Sequence, residues 1–288
     1  MHLLHSVLAA LSGSSLVHAV AVIFHPIFVV LATVLTAIYG LTASYGLAVI
    51  LLTIVIMALL MPLTVRSTRS MIAMQRVAPK IKRLQQQYKG SENREQLNRE
   101  LMRVYKEERI NPAGSCLPLL LQVPVLIVLY DVIKGLSNRL TTSVRGHSVA
   151  VPRPRYIPTS SRLYHHLVAS HGAMNWLGIN LALKPFSTHA QWFGFLPYVA
   201  LVLVAVGLQY VQLAQTKRRS PATVQANPQM RTVQTVQRFL PILSAYIYFV
   251  IPGAVVLYMI VSTAIRIGTQ FVLFRRGTAD PPPSNVEA

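Results

Sequence analysis

Apolar and polar positions fall into long separate blocks along this chain. From Met1 to Val65 there is no Asp, Glu, Lys or Arg, whereas Pro62 to Pro112 holds 12 of the 27 Lys/Arg and 5 of the 8 Asp/Glu. Beyond that charged block come long apolar runs with only three more acidic residues. A charged block between uncharged runs is typical of a water-exposed segment between membrane spans.

The apolar runs predict five spans, some shorter than the ~20 residues that cross a bilayer upright. Their predicted ranges are approximately 45–63, 117–133, 193–211, 239–251 and 254–273. The fourth is short because Pro252-Gly253 interrupts it before the fifth begins. The fold class predicted is therefore an all-α polytopic membrane protein with a five-helix transmembrane core, residues 45–276.

Within the charged block, residues 64–112 predict an antiparallel helical hairpin. The apolar positions on its first half recur every three or four residues, namely Met71, Met74, Ala78, Ile81, Leu84 and Tyr88. Lys89 to Ser91 predicts a break, with Ser91 as the N-cap of a second helix that presents Leu97 and Leu101. The alternative interpretation is a solvated linker without further function.

The two ends and the longest loop are less regular. Residues 1–44 form an N-terminal apolar segment in which 27–43 is expected to be an amphipathic helix lying in the membrane interface, or alternatively a further span. Residues 134–192 predict a long loop, and 277–288 a disordered tail.

Positive charge predicts the orientation. The hairpin and the loop 212–238 are rich in Lys/Arg and are expected in the cytoplasm, so the loop 134–192 is expected outside. That outer loop also carries seven basic residues, which weakens the signal. A net charge of +19 suits anionic lipid head groups or ribosomal RNA as partners without establishing either.

The sequence contains no motif typical of metal or nucleotide binding. The single cysteine, Cys116, excludes an intramolecular disulfide and a cysteine-only metal site. The nine His form no H-E-x-x-H motif, and no Gly pattern forms a phosphate loop. No cofactor and no metal is expected.

Polar residues inside the predicted spans are candidates for function, because burying them in a membrane is costly. Arg266 stands out, with Tyr258 and Ser262 one and two turns before it on the same face. Either these residues face a water-filled cavity, or Arg266 extends toward the head groups. The milder candidates are Thr53, Gln122, Tyr130, Gln209 and Gln212, which singly are more typical of hydrogen bonds between helices.

Several stretches resemble the YidC/Oxa/Alb membrane protein insertases, over residues ~24–276. They are Tyr45-Gly46 with Leu51-Leu52-Thr53 and Pro62-Leu63-Thr64; Ser70-Met71 and Met74-Gln75 before Pro79-Lys80; Asn111-Pro112-Ala113-Gly114-Ser115-Cys116-Leu117-Pro118; Gln122-Val123-Pro124; and Pro252-Gly253 before Val256-Leu257-Tyr258 and Val261-Ser262. The block from Asn111 to Pro124 is the most specific of these.

The resemblance implies an insertase and chaperone that is not an enzyme. It would insert nascent membrane proteins through a hydrophilic groove open to the cytoplasm and to lipid, alone or with the Sec translocon. The implied partners are nascent membrane proteins, the ribosome, the Sec translocon and anionic lipids, in a bacterial plasma membrane. The expected groove residues are Arg266, Ser262, Tyr258, Thr53, Met57, Gln122, Gln209 and Gln212, and the hairpin residues expected to contact substrate are Met71, Met74, Arg76 and Lys80.

One position departs from the family pattern. The family usually places an arginine in the first core span, five residues before the proline of Pro-Leu-Thr, and that position is Met57 in this chain. We expect Arg266 to supply the missing charge from the fifth span, since both positions lie a few residues from the same ends of their helices. The alternative is that Met57 and Met61 form a softer, apolar path.

Two other function classes fit the composition less well. A small-solute transporter or channel is the main alternative, but it predicts repeats or paired broken helices, and Pro252-Gly253 is a single break. An intramembrane hydrolase would need a nucleophile and a base inside the spans, and no predicted span contains a His.

Overall fold

The computed structural model describes residues 14–88, 93–108, 117–137, 139–144, 147–185, 192–219 and 241–277, with side chains from residue 26 onward except for some positions within these ranges. The helices are α1 (Ser14–Thr42), α2 (Tyr45–Gln87), α3 (Arg94–Glu107), α4 (Leu117–Leu136), α5 (Arg162–Ala169), α6 (Trp192–Arg219), α7 (Pro241–Val250) and α8 (Gly253–Gly277). The strands are β1 (Arg139–Val144), β2 (His147–Pro152), β3 (Asn175–Trp176) and β4 (Ile179–Asn180).

The helices confirm an all-α polytopic membrane protein. Within the described residues, three segments are long and apolar enough to cross a membrane: Tyr45–Ser70, Gly194–Thr216 and Gly253–Arg275. They coincide with the first, third and fifth predicted spans. The helices α4 and α7 cover the second and fourth predicted spans, and α7 is a shorter apolar helix.

The first span and the first arm of the hairpin are one continuous helix. Helix α2 has 43 residues and contains Pro62 and Pro79, so it does not divide at residues 63 and 64 as the sequence boundaries suggested. Its length is about 65 Å at ~1.5 Å per residue, which is about twice the hydrocarbon thickness of a bilayer. The first arm of the hairpin is therefore a direct continuation of the span, with no loop between them.

The second arm of the hairpin packs antiparallel on the first. Val77 and Ile81 of α2 form a small buried cluster with Leu101 and Tyr105 of α3. Helix α3 begins at Arg94 with Asn93 as its N-cap, two residues after the expected Ser91 cap. The side chains of Met71, Met74 and Ala78 lie outside the described residues.

Helix α8 lies at the centre of the bundle and packs mainly against α2 and α6, with α4 as a further neighbour. Residues 254–258 of α8 are at most 5% exposed, so this stretch is enclosed on all sides. The hydroxyl of Thr269 lies 3.8 Å from the Met61 sulfur, which fixes the register between α8 and α2. We call the end of the bundle that carries Tyr45 and Gly253 the loop end, and the opposite end the hairpin end.

Residues 153–185 close the loop end and are called the cap. Its apolar side chains Leu163, Leu167, Met174 and Leu181 are at most 2% exposed and belong to the same core as α2, α4 and α8. The carbonyls of Leu183 and Leu181 accept hydrogen bonds from the first two amides of α8, at 3.0 and 2.9 Å. These bonds satisfy backbone donors that a helix cannot pair internally.

The loop between α4 and α6 is thus structured, which the sequence pattern did not indicate. Strands β1 and β2 pair antiparallel from Arg139 opposite Pro152 to Val144 opposite His147, and β3 and β4 form a second, two-residue ribbon. Trp176 of β3 packs directly on Gly46 of α2, where an added Cβ would lie 2.1 Å from the indole. Glycine at position 46 is therefore required for the close approach of the cap to α2.

Helix α1 lies across the loop end. Near its carboxyl end, Tyr39 contacts Tyr45, the first residue of α2, with ring centroids 4.7 Å apart. Eleven residues earlier, Phe28 contacts Tyr156, with ring centroids 5.9 Å apart, and Tyr156 packs on Gly135 at the end of α4. Because both contacts are at the loop end, α1 runs across the bundle over this length instead of descending along it.

Candidate functional site

Two helices, α4 and α8, place polar side chains in contact within the bundle. The Arg266 guanidinium of α8 donates a hydrogen bond to the Gln122 side-chain oxygen of α4. The Gln122 amide nitrogen in turn donates to the Tyr258 hydroxyl at 3.1 Å and contacts the Met259 sulfur at 3.2 Å. Gln122 is 8% exposed and Tyr258 is fully buried, so the bond between them lies inside the protein, and the partly buried Arg266 continues it outward. The amide is fixed in orientation, with its oxygen toward Arg266.

No acid among the described side chains balances Arg266. The four described glutamates pair with basic residues of the hairpin: Glu95 with Arg99, Glu100 and Glu107 with Arg103, and Glu108 with Lys80. Asp131 interacts electrostatically with Lys134 in the next turn of its own helix. The guanidinium charge is therefore uncompensated within the described part of the chain. Burying such a charge is costly unless water or an anion is admitted.

Further polar side chains on α6, α7 and α8 extend this region. Gln209 of α6 donates to the hydroxyl of Tyr248, a buried residue of α7 that lies within electrostatic range of Arg266. Four buried polar atoms have no hydrogen-bond partner among the described residues: Arg266 Nε and the side-chain oxygens of Gln209, Gln215 and Gln270. Buried polar groups are nearly always paired with protein or with water. Together these groups favour a hydrated interior between the helices.

The depth of Arg266 matches that of Met57. The contact between Met61 and Thr269 aligns α2 with α8, so Met57 lies level with Ile265, within about 1.5 Å of the height of Arg266. Met57 is 6% exposed and belongs to the main apolar core. Arg266 and Met57 thus lie at one level of the bundle, on α8 and α2.

Two of the expected groove residues, Thr53 and Ser262, use their side-chain hydroxyls within their own helices. The Thr53 hydroxyl donates to the Val49 carbonyl at 2.6 Å, and the Ser262 hydroxyl donates to the Met259 carbonyl at 3.2 Å. At Gln212 it is the backbone carbonyl that accepts, from the Thr216 hydroxyl at 3.0 Å, so this bond does not involve the Gln212 side chain. In the hairpin, Lys80 is paired with Glu108, and Lys80 and Arg76 are both exposed.

Three residues of this polar region, Gln215, Gln270 and Tyr248, were not singled out in the sequence. Gln270 follows Arg266 by four residues and continues the spacing of Tyr258, Ser262 and Arg266, so the same rule would have found it. Tyr248 is a polar residue in a short apolar segment, and the sequence gives no indication that it faces Gln209 on another helix.

Comparison with known proteins supplies the family. The family model described as "60Kd inner membrane protein" matches residues 37–280. Inner membrane protein ALBINO3, chloroplastic, from Arabidopsis thaliana is 30% identical over 239 residues, which are 83% of this chain and 48% of that protein. Membrane protein insertase YidC from Lawsonia intracellularis is 30% identical over 247 residues, 85% of this chain and 38% of that protein. A shorter match, to membrane protein insertase YidC from Syntrophobacter fumaroxidans, is 46% identical over 97 residues, 34% of this chain and 17% of that protein.

This chain spans about half or less of the length of these curated relatives. The match nonetheless covers most of the chain, including the hairpin, every predicted span and the polar residues described above. The resemblance noted in the motifs is thereby confirmed. The chain belongs to the 60Kd inner membrane protein family, which is the YidC/Oxa/Alb family.

Proposed function

We propose that this protein is a membrane protein insertase and chaperone. The observation that carries the proposal is the uncompensated guanidinium of Arg266, held by Gln122 in the interior of an apolar bundle. Relatives of the same family named membrane protein insertase support the assignment. A charge in this position serves a protein that receives polar peptide segments inside the membrane, and it requires no chemical catalysis or cofactor.

The mechanism follows from the cost of moving polar groups through hydrocarbon. Water admitted around Arg266, Gln209, Gln215 and Gln270 shortens the apolar path that the polar flank of a substrate has to cross. The guanidinium attracts acidic groups in that flank. The apolar helix of the substrate then moves sideways into lipid, driven by burial of its own side chains.

The proposed topology has five spans with the hairpin end in the cytoplasm and the cap outside, in a bacterial plasma membrane. It is supported by the 12 Lys/Arg of the hairpin block and by the five basic residues of the loop 212–238. In this orientation the polar region opens toward the side on which proteins are synthesised.

The proposed partners are nascent membrane proteins, the ribosome, the Sec translocon and anionic lipids. The continuous helix α2 carries the hairpin directly from the bundle, so it can bring a captured segment to the polar region. Met71, Met74, Arg76 and Lys80 are the hairpin residues that we propose contact the substrate. The pairing of Lys80 with Glu108 has to open for that contact.

Reconstitution tests the function directly. Purified protein in vesicles should insert a small membrane protein that is synthesised on ribosomes outside them, as measured by protection of its translocated segment from protease. Vesicles without protein are the control for spontaneous insertion. Solute flux without insertion would contradict the proposal and favour a transporter or channel.

A further inference from the structure

The exposed side of α1 is apolar throughout its described length. Phe28, Ala32, Leu35 and Tyr39 are at most 4% exposed and face the core. The opposite side presents Ile27, Val30 and Leu41, which are 45%, 59% and 89% exposed. The hydroxyl of Thr33 on that side donates to the Val29 carbonyl of its own helix. Unlike an interfacial helix with a charged face, α1 thus offers only apolar contacts.

Basic side chains adjoin this helix where α4 ends. The amide of Arg155 donates to the Gly135 carbonyl at 2.9 Å, and an added Cβ on Gly135 would lie 3.5 Å from the Arg155 Cβ. Lys134 precedes Gly135 and is exposed, as is Arg155. Tyr156 then packs on Phe28 of α1. Both cations therefore lie near the end of α1 that carries Ile27, Phe28 and Val30.

The charge around these residues is strongly one-sided. Residues 134–192 contain seven Lys/Arg and no acidic residue. The acid that faces Lys134 is Asp131, one turn earlier on α4, and the ring of Tyr130 also lies 5.7 Å from the Lys134 amine. Asp131 offsets part of the charge of Lys134, so Arg155 is the stronger of the two cations toward an external anion.

We propose that Arg155 and Lys134, with the apolar face of α1, form a binding site for a lipid with an acidic head group. The head-group phosphate would lie against the two cations, and the acyl chains would cover Ile27 and Val30. The continuous apolar face favours lipid as the occupant, since a soluble anion would leave that face in water. The site lies at the opposite end of the bundle from Arg266 and does not depend on the insertase function.

Spin-labelled lipids can test this site in vesicles of phosphatidylcholine that contain the full chain. We expect labelled phosphatidylglycerol to associate with the protein more strongly than labelled phosphatidylcholine. Each charge removed by Arg155→Gln and Lys134→Gln should lower that preference roughly fivefold, the factor that corresponds to about 1 kcal/mol per basic residue. Free inorganic phosphate should not displace the lipid.

Arg162→Gln is the matched control, because Arg162 is an exposed cation of the same cap that is not adjacent to Gly135. A loss confined to the Arg155 and Lys134 variants supports the site. An equal loss in the Arg162 variant would show diffuse surface charge and overturn it, and so would the absence of any loss.

A local reporter gives a second measurement that does not require the charge variants to fold. Tryptophan introduced by Val30→Trp should be quenched more by phosphatidylglycerol with brominated chains than by brominated phosphatidylcholine. High salt should reduce that difference, since surface electrostatic attraction is screened. Equal quenching by the two lipids at low salt would contradict a preference at α1.

Discussion

At the scale of single residues, the informative feature is that Arg266 pairs with an amide and not with a carboxylate. An acid at position 122 would cancel the charge, whereas the Gln122 oxygen binds the guanidinium and leaves it positive. Tyr258 accepts from the other end of the amide, which keeps the oxygen pointed at Arg266. In the function that we propose, position, orientation and retained charge together make Arg266 available to an anionic segment of the substrate.

Substitution of Gln122 separates charge from position. Gln122→Glu keeps the shape and the acceptor but places an anion on Arg266, so insertion of a substrate with an acidic flank should fall about tenfold, equivalent to ~1.4 kcal/mol. Gln122→Met removes the hydrogen bonds but leaves the charge of Arg266 in place, so insertion of the same substrate should fall less. Insertion rates in vesicles measure both variants. If the Gln122→Glu variant inserted substrates with acidic flanks at the wild-type rate, then leaving Arg266 positively charged would not be the role of the Gln122 amide.

The packing partners of the cap residues could not be predicted from the sequence. No sequence periodicity indicates which helices are covered by the buried cap side chains Leu163, Leu167 and Met174. Arg266 and Tyr258 were identified because a polar residue in a span is costly and so stands out. Their link to Gln122 spans 136 to 144 positions of sequence, which local patterns cannot reveal.

Gly46 gives the clearest residue-level prediction about stability. Gly46→Ala places a methyl group within 2.1 Å of the Trp176 indole, so the cap has to shift. Overpacking of this kind costs ~1–3 kcal/mol. We expect a lower melting temperature and altered fluorescence of Trp176.

Gly207→Ala on α6 is the control for that substitution, because its added Cβ would meet no atom within 4 Å. Alanine favours the helix over glycine by about 1 kcal/mol, so this variant should be as stable as the wild type or more so. Equal effects of the two substitutions would mean that the contact between the cap and α2 does not stabilise the bundle.

At the scale of elements, the continuity of α2 matters most. Sequence patterns located both the span and the hairpin, because hydropathy and helical periodicity are strong local signals. They did not show that Pro62 and Pro79 lie within a single helix. Proline is tolerated in membrane helices when neighbouring groups satisfy the freed backbone, which only the assembled fold can show.

The hairpin should open at high pH. Burial raises the pKa of Tyr105, so the folded hairpin favours the neutral phenol. The contribution of Tyr105 to the packing is present below the ordinary tyrosine pKa of about 10 and is lost as the pH rises through the higher folded value. Protease sensitivity of the segment between α2 and α3, measured from pH 8 to about 12, should rise in the wild type. Tyr105→Phe should weaken this dependence, and an unchanged profile in that variant would contradict the assignment.

At the scale of the whole molecule, the two ends of the bundle differ in character. The loop end is closed by the cap and α1 over a fully buried apolar core. Toward the hairpin end, Arg266 and the glutamines of α6 and α8 leave buried polar atoms without partners among the described residues. The fold thus combines a sealed end with an end that favours water, which is the asymmetry that the proposed one-sided entry of a polypeptide would require.

The most direct test of this account compares insertion of two substrates that differ only in whether the amino-terminal flank is acidic or neutral. Arg266→Ala should lower the ratio of acidic-flank to neutral-flank insertion about tenfold, and adding Met57→Arg should restore it, since position 57 lies at the same depth. An unchanged ratio in a folded Arg266→Ala protein would contradict the claim that this guanidinium attracts the substrate.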